Sequence, residues 1–111
     1  MQIHAERVAG VAVVSLCGTI DLRAPHELRE RVLAAVQAEE PPRLLLDLAE
    51  LEGLDSAVLA LVVAVGRTLA GRGGQLKLCA PHAGVEAFLR LSRVDRAYET
   101  FAERDAALAS F

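Results

Sequence analysis

The pattern of apolar and polar positions in the first third of the chain predicts a β-hairpin followed by a helix. Residues 2–17 are typical of a hairpin, because Ala9-Gly10 can form its turn and the residues after the turn are mostly β-branched or apolar. Apolar residues then recur every four positions, which indicates an amphipathic helix that begins near Pro25. These recurring residues are Leu28, Val32 and Val36.

The middle of the chain predicts a short buried strand and a long apolar helix. A proline pair ends the first helix, and a right-handed crossover would place a strand at residues 43–47 parallel to the second hairpin strand. The valines in residues 58–69 favour a strand locally, but the segment is too long for one and its apolar residues fit one helical face. We therefore predict a helix there, capped by Asp55 or Ser56 and closed by Gly71. Because it is apolar on nearly all sides, it should be largely buried.

The last third of the chain predicts two more strands and two more helices. A strand at residues 75–79 follows a Gly-Gly turn, and a helix occupies residues 81–91. A short strand is expected at residues 97–101 and a terminal helix at residues 103–110. The whole chain, residues 1–111, is therefore predicted to be one α/β domain, with a mixed central sheet of about five strands and about four helices packed on it.

Composition narrows the class of protein. Apolar residues make up 53% of the 111 residues and aromatic residues 4%, so the core has to be aliphatic. The net charge is −3 without a basic block, which argues against nucleic-acid binding. No apolar run approaches the ~20 residues of a membrane span, and no signal peptide is visible. We expect a cytoplasmic protein without membrane insertion.

Sequence patterns for catalysis, cofactors and metals are weak or incomplete. The residues around Ser56 lack the GxSxG nucleophile pattern, and the glycines of residues 71–74 lead into a strand without the Gly-Lys-Ser/Thr of a phosphate loop. We interpret Cys17 and Cys79 as small apolar residues of core strands. The scattered histidines are interpreted as surface or cap residues; they are His4, His26 and His82. We expect no enzymatic activity, no cofactor and no metal site.

An acidic segment follows the predicted third strand. It carries Asp47, Glu50, Glu52 and Asp55, separated by leucines. One interpretation is a solvated loop with its apolar residues turned inward. The other is an acidic rim that docks on a basic partner surface. The sequence leaves both open.

The triplet Asp55-Ser56-Ala57 stands where the apolar helix is predicted to begin. Helix N-termini favour anions and partner docking. As an N-cap, the Ser56 oxygen would accept a helix N–H, which is worth ~1 kcal/mol. As a kinase substrate, Ser56 would gain about two negative charges. The helix dipole would tolerate that charge but a docked partner would not, so phosphorylation would act as a release signal.

The order and spacing of several motifs resemble the STAS domain, and more closely the stand-alone bacterial anti-sigma factor antagonists. One motif is Gly18-Thr19-Ile20-Asp21, after the second strand. Another is LLDL at residues 45–48, leading into LDSAVL at residues 54–59. The closing segment, residues 91–101 followed by residues 106–108, is also similar. The resemblance covers essentially the whole chain.

This resemblance implies a STAS-like fold and a partner switch. An unphosphorylated antagonist binds an anti-sigma factor that is itself a serine kinase, and thereby frees the sigma factor. Phosphorylation at the start of the helix ends that interaction. In the family pattern Asp-Ser-Ser/Thr-Gly-Leu, Asp55 and Ser56 match the first two positions. Ala57 falls on the usual phosphoacceptor and Val58 on the usual glycine.

The departure at Ala57 leaves the regulation open, because alanine has no hydroxyl. The protein is either locked in the binding-competent state, regulated by other means, or phosphorylated on Ser56. Asp21 lies where the family has its first functional loop. An ordinary structural role for its carboxylate, in a turn, is an equally open interpretation. The residues that the resemblance assigns to partner binding are Asp21, Leu54, Asp55, Ser56, Ala57 and Val58.

The expected partner is an anti-sigma factor with serine-kinase activity. Family members can dimerise, and the sequence does not fix the oligomeric state. Residues 55–61 also resemble the small STAS subunit of bacterial lipid-asymmetry ABC transporters, which docks on an ATPase. That alternative function stays open, and the sequence names neither the sigma factor nor the signal.

Overall fold

Ten elements of secondary structure are found in the described part of the domain. The computed structural model describes residues 2–19, 24–37 and 40–111. In chain order the elements are β1 (Gln2–Val8), β2 (Val11–Gly18), α1 (Ala24–Val36), β3 (Arg43–Leu51), α2 (Ser56–Gly71), β4 (Gln75–Cys79), α3 (Ala83–Leu91), α4 (Val94–Ala97), β5 (Thr100–Phe101) and α5 (Arg104–Ala109). The predicted α/β class is confirmed, with five helices in the described part instead of about four.

The five strands form one mixed sheet in the order β1-β2-β3-β4-β5. β1 and β2 are antiparallel, and their turn has positive φ at both Ala9 (52°) and Gly10 (79°), as tight hairpin turns require. The pairs β2–β3, β3–β4 and β4–β5 are all parallel, which confirms the crossover through α1. The carboxyl ends of four strands therefore meet at one edge of the sheet.

Aliphatic side chains fill the space on both faces of the sheet. The larger cluster joins the sheet to α1, α2 and α3, with Leu28, Val62 and Val85 among its buried members. The smaller cluster lies under α5. It contains Leu45 of β3 and Cys79 of β4, together with residues of β2 and α5. Burial on both faces explains why β2 and β3 are apolar almost throughout.

Two cations hold α5 against the sheet. Arg104 Nε donates to Asp47 Oδ2 at 2.8 Å. The Lys77 ammonium, buried in β4, donates to the carbonyl oxygen and the hydroxyl of Ser110 at 2.8 Å each and lies 4.8 Å from the ring centroid of Phe111. Both ends of this short helix are thus fixed by charged side chains.

Three predictions about the elements need correction. β3 continues to Leu51 instead of ending at residue 47. β5 covers only Thr100–Phe101, and Ala97, predicted as the first residue of that strand, is instead the last residue of the short helix α4, which turns Val94 into the core. α2 is buried on one face only. Its outer face carries small or polar side chains, which tolerate water; they include Ala57, Ala60, Ala64, Arg67 and Thr68.

The helices of the described residues are short, and α2, with 16 residues, is the longest of them. Within the described ranges, none is both long enough and apolar enough to span a membrane.

Candidate functional site

The start of α2 lies at the carboxyl edge of the parallel strands, after a short loop that follows β3. Asp55 has extended backbone angles (φ −112°, ψ 173°), and its Oδ1 accepts the Val58 N–H at 2.8 Å. Asp55 is therefore the N-cap and Ser56 is the first helical residue. The interpretation of Ser56 as the N-cap is wrong, because that role is taken one residue earlier.

The residues assigned to partner binding differ in exposure. Asp55, Ser56 and Ala57 are exposed side by side, whereas Leu54 is half-buried and packs against the core. Val58 is 0% exposed, so its side chain cannot contact a partner, and that assignment is corrected. Asp21 lies outside the described residues, and its role stays a prediction.

The acidic segment divides between the interior and the surface. Asp47 lies within β3, is 8% exposed and is bonded to Arg104, so it does not belong to an acidic rim. The leucines of this segment at positions 48 and 51 are buried, as the first interpretation expected. Glu50, Glu52 and Asp55 remain exposed and form an acidic stretch that leads to the start of α2.

A shallow groove extends this surface along α2. It has a volume of about 390 Å³ and runs from Ser56 to Arg67, with Ser92 and Val94 on its other side. The α2 residues between its ends are apolar, and they are Leu59, Ala60, Val63 and Ala64. Leu91, next to the groove in sequence, is 85% exposed. An apolar groove beside exposed polar groups is typical of surfaces that bind other proteins.

The sequence predicts only part of the role of His82. It caps α3 as expected, since its Nδ1 accepts the N–H groups of Gly84 at 3.0 Å and Val85 at 3.4 Å. Its Nε2 lies 2.9 Å from the carbonyl oxygen of Glu52, in the loop that leads to α2. The sequence position of His82, before a helix and after a strand, signals the cap but not the contact 30 residues away.

The described residues also bear on catalysis and metal binding. Across residues 2–19, 24–37 and 40–111, no three or more His, Cys, Asp or Glu side chains come together as a metal site would need. Burial, reinforced by the charge of Asp47, raises the pKa of the Cys79 thiol from 9.0 to about 12. Cys79 is thus a core residue, as predicted, and poorly suited to act as a nucleophile. Cys17 is only half-buried.

Comparison with known proteins gives consistent matches. Residues 3–103 match the family model described as "Mlab, STAS domain". The anti-sigma F factor antagonist of Paenibacillus polymyxa is 26% identical over 92 residues, which cover 83% of this chain and 79% of that protein. An anti-sigma factor antagonist of known structure from Mycobacterium paratuberculosis is 27% identical, with a TM-score of 0.87 and coverage of 98% of this chain and 92% of that one.

Two structures of one further protein show the same fold. SpoIIAA in its unphosphorylated form has a TM-score of 0.81 at 22% identity, with 96% of this chain and 93% of that chain covered. Bacillus SpoIIAA in its phosphorylated form has a TM-score of 0.76 at 20% identity, with 98% of both chains covered. The fold expected from the sequence resemblance is confirmed by these matches.

Proposed function

The chain belongs to the STAS domain family, and on that premise we propose that it is an anti-sigma factor antagonist that binds an anti-sigma factor through the start of α2. The observation that carries the proposal is the exposed triplet Asp55-Ser56-Ala57, held on a capped helix beside an apolar groove. The named relatives are antagonists of this kind. The protein acts by binding, without catalysis of its own.

The surface suits a partner with apolar and basic groups. The groove along α2 offers apolar contact area that water leaves on binding. The exposed Asp55 carboxylate directly precedes Ser56, at one end of the groove, and favours a basic group on the partner. This combination is the reason to assign the start of α2, instead of the α5 side of the sheet, to the partner.

We propose that a kinase acting on this surface finds its acceptor at Ser56, since Ala57 offers no hydroxyl. Ser56 is exposed and lies outside the cap, so its phosphorylation leaves the Asp55–Val58 hydrogen bond in place. The phosphate would stand at the end of the apolar groove, where its bulk and the cost of stripping its hydration would oppose docking. Without phosphorylation of Ser56, the protein is locked in its binding state.

Capture of the partner tests the binding function. The tagged chain, immobilised and incubated with lysate of the source organism, should retain an anti-sigma factor with a serine-kinase domain, identified by mass spectrometry. The variant Ala57→Glu should reduce that capture at least about tenfold, because its long charged side chain would have to be desolvated and accommodated at the contact surface. The matched control is Ala106→Glu, also an exposed alanine near a helix start but on α5, and it should capture as the wild type does.

Two results would contradict the proposal. Equal capture by the two variants would exclude the start of α2 as the binding surface. Retention of a transporter ATPase in place of a kinase would support the lipid-asymmetry transporter alternative, which the named relatives do not favour.

Incubation of the chain with the captured kinase and ATP tests the regulation. Mass spectrometry should find phosphate on Ser56 and none on Ser56→Ala. If the wild-type chain takes up no phosphate while Ala57→Ser does, the acceptor has been lost and the locked state is correct.

A further inference from the structure

We propose that His82 is a positioning residue for the partner-binding start of α2, an inference that rests on the function proposed above. His82 directly precedes α3 and lies 26 positions after Ser56 in the sequence. Its imidazole nevertheless contacts the loop between β3 and α2, through the backbone of Glu52. The side chain thus links two segments that meet at the carboxyl edge of the sheet.

The hydrogen-bond partners determine the tautomer of the ring. Nδ1 faces two N–H donors, from Gly84 and Val85, and must therefore be the unprotonated nitrogen. The proton then lies on Nε2, which donates to the Glu52 carbonyl oxygen. Both ring nitrogens are used, one for the α3 cap and the other for the neighbouring loop.

Glu52 is held from a second side as well. Its backbone N–H donates to the Gly18 carbonyl oxygen, at the end of β2, at 3.0 Å. The two backbone groups of Glu52 therefore connect the ends of β2 and β3 with the start of α3. This residue is a fixed point three positions before Asp55.

The segment between Glu52 and Asp55 needs such a fixed point. Gly53 lacks a side chain, and a Cβ added there would meet no atom within 4 Å, so neither the residue nor its surroundings restrict the backbone much. Leu54 is only half-buried. The bond from His82 and the cap by Asp55 bracket these two residues, and together they set the direction in which Asp55, Ser56 and Ala57 face the partner.

Two substitutions separate the loop contact from the α3 cap. In His82→Asn the shorter side chain is a preferred N-cap and can still accept the Gly84 N–H, but it cannot reach Glu52. In His82→Ala both contacts are lost. Amide hydrogen exchange measured by NMR on the free protein reports each contact without any partner.

We expect the Glu52 and Val58 amides of His82→Asn to exchange about tenfold faster than in the wild type, from the loss of one hydrogen bond. The amides of Gly84 and of Leu45, in the centre of the sheet, should stay within about twofold. In His82→Ala the amide of Gly84 should exchange faster as well. Unchanged exchange at Glu52 and Val58 in His82→Asn, or equal acceleration at Leu45, would overturn the proposal.

A measurement on the wild-type protein guards against variants that do not fold. Nitrogen-15 NMR of the His82 ring should show the proton on Nε2, and a proton on Nδ1 would contradict the geometry. With the captured partner, His82→Asn should bind about tenfold more weakly than the wild type. If loop exchange responds as expected while Ala57→Glu leaves capture unchanged, the loop contact is real and the proposed function is the part that fails.

Discussion

Gly66 lies on the buried face of α2, against the ring of Tyr98. A Cβ atom at Gly66 would overlap that ring, and the Tyr98 hydroxyl donates to the Val63 carbonyl oxygen at 3.4 Å. The absent side chain is therefore what lets the segment after α4 pack on α2. Glycine has a lower helix propensity than alanine, but at this position it permits the tertiary contact with Tyr98.

We predict that Gly66→Ala lowers the free energy of unfolding by about 1–3 kcal/mol, the usual cost of overpacking. In a Tyr98→Ala background the same change should be neutral or stabilise by up to ~1 kcal/mol, because only helix propensity then matters. Urea unfolding of the four proteins measures this cycle. An equal cost in both backgrounds would mean that Tyr98 is not the obstacle.

Cys79 gives a pH dependence whose sign follows from its surroundings. Burial, and after it the Asp47 charge, raises the pKa of the folded thiol from 9.0 to about 12. The unfolded chain therefore loses this proton at lower pH than the folded protein does. The stability contributed by the protonated thiol is complete below pH ~9 and is lost as the pH rises towards ~12.

Relative to Cys79→Ala, we expect the wild type to lose roughly 1.4 kcal/mol per pH unit above pH ~9. Urea unfolding of both proteins between pH 8 and about 11 measures the difference in their stability. The contributions of the ionisable groups that the two proteins share cancel in this difference. Two parallel stability curves would contradict the prediction. Under native conditions a thiol reagent should modify Cys17 and spare Cys79, because only Cys17 is partly exposed.

At the scale of elements, the start of α2 combines a stabilising residue with exposed neighbours. Asp55 makes the cap bond to Val58, while Ser56 lies outside it. We predict that Asp55→Ala lowers the free energy of unfolding by ~1 kcal/mol and that Ser56→Ala changes it by less than ~0.5 kcal/mol. Chemical unfolding compares the two variants. A larger loss of stability from Ser56→Ala than from Asp55→Ala would mean that Ser56 is the N-cap.

Elements with strong local signals could be predicted from the sequence. The hairpin follows from its turn at Ala9-Gly10, and α2 follows from the spacing of its apolar residues. The choice between Asp55 and Ser56 as N-cap could not be made, since both residue types cap well. Residues 94–97 were missed as a helix because one turn carries too little periodicity to be distinguished from a strand.

Contacts between distant residues were beyond sequence reasoning. Asp47 looked like a surface acid because nothing near it in the chain suggests a cation, and its partner Arg104 is 57 positions away. The contact of His82 with Glu52 was missed for the same reason. The start of α2 could be proposed as a candidate surface from a family motif and a local helix signal, because neither requires knowledge of the tertiary structure.

At the scale of the whole molecule, Arg104 joins three strands to α5. Besides Asp47, its guanidinium donates to Glu6 Oε1 at 2.7 Å and to the Ser15 hydroxyl at 3.1 Å. The hydrogen bonds to Asp47 and Glu6 raise the pKa of Arg104 and so stabilise its charged form. One side chain thus ties β1, β2 and β3 to the last helix.

We predict that Arg104→Met lowers the free energy of unfolding by about 2 kcal/mol, because it leaves Asp47 buried without its cation. Arg90→Met is the matched control. Arg90 donates to Glu86 at a similar distance, 2.8 Å, but both side chains are exposed, and its loss should cost less than ~0.5 kcal/mol. Thermal or urea unfolding of both variants tests this, and equal losses would mean that the buried network adds no more than a surface ion pair.

The sheet order has a consequence for synthesis on the ribosome. Since the strands are arranged in the order in which they are translated, each new strand meets an edge that has already emerged. Only the closing helix must wait, because its guanidinium joins a carboxylate 98 positions upstream. The nascent domain can therefore grow strand by strand, and the back of its sheet stays open until α5 has left the exit tunnel.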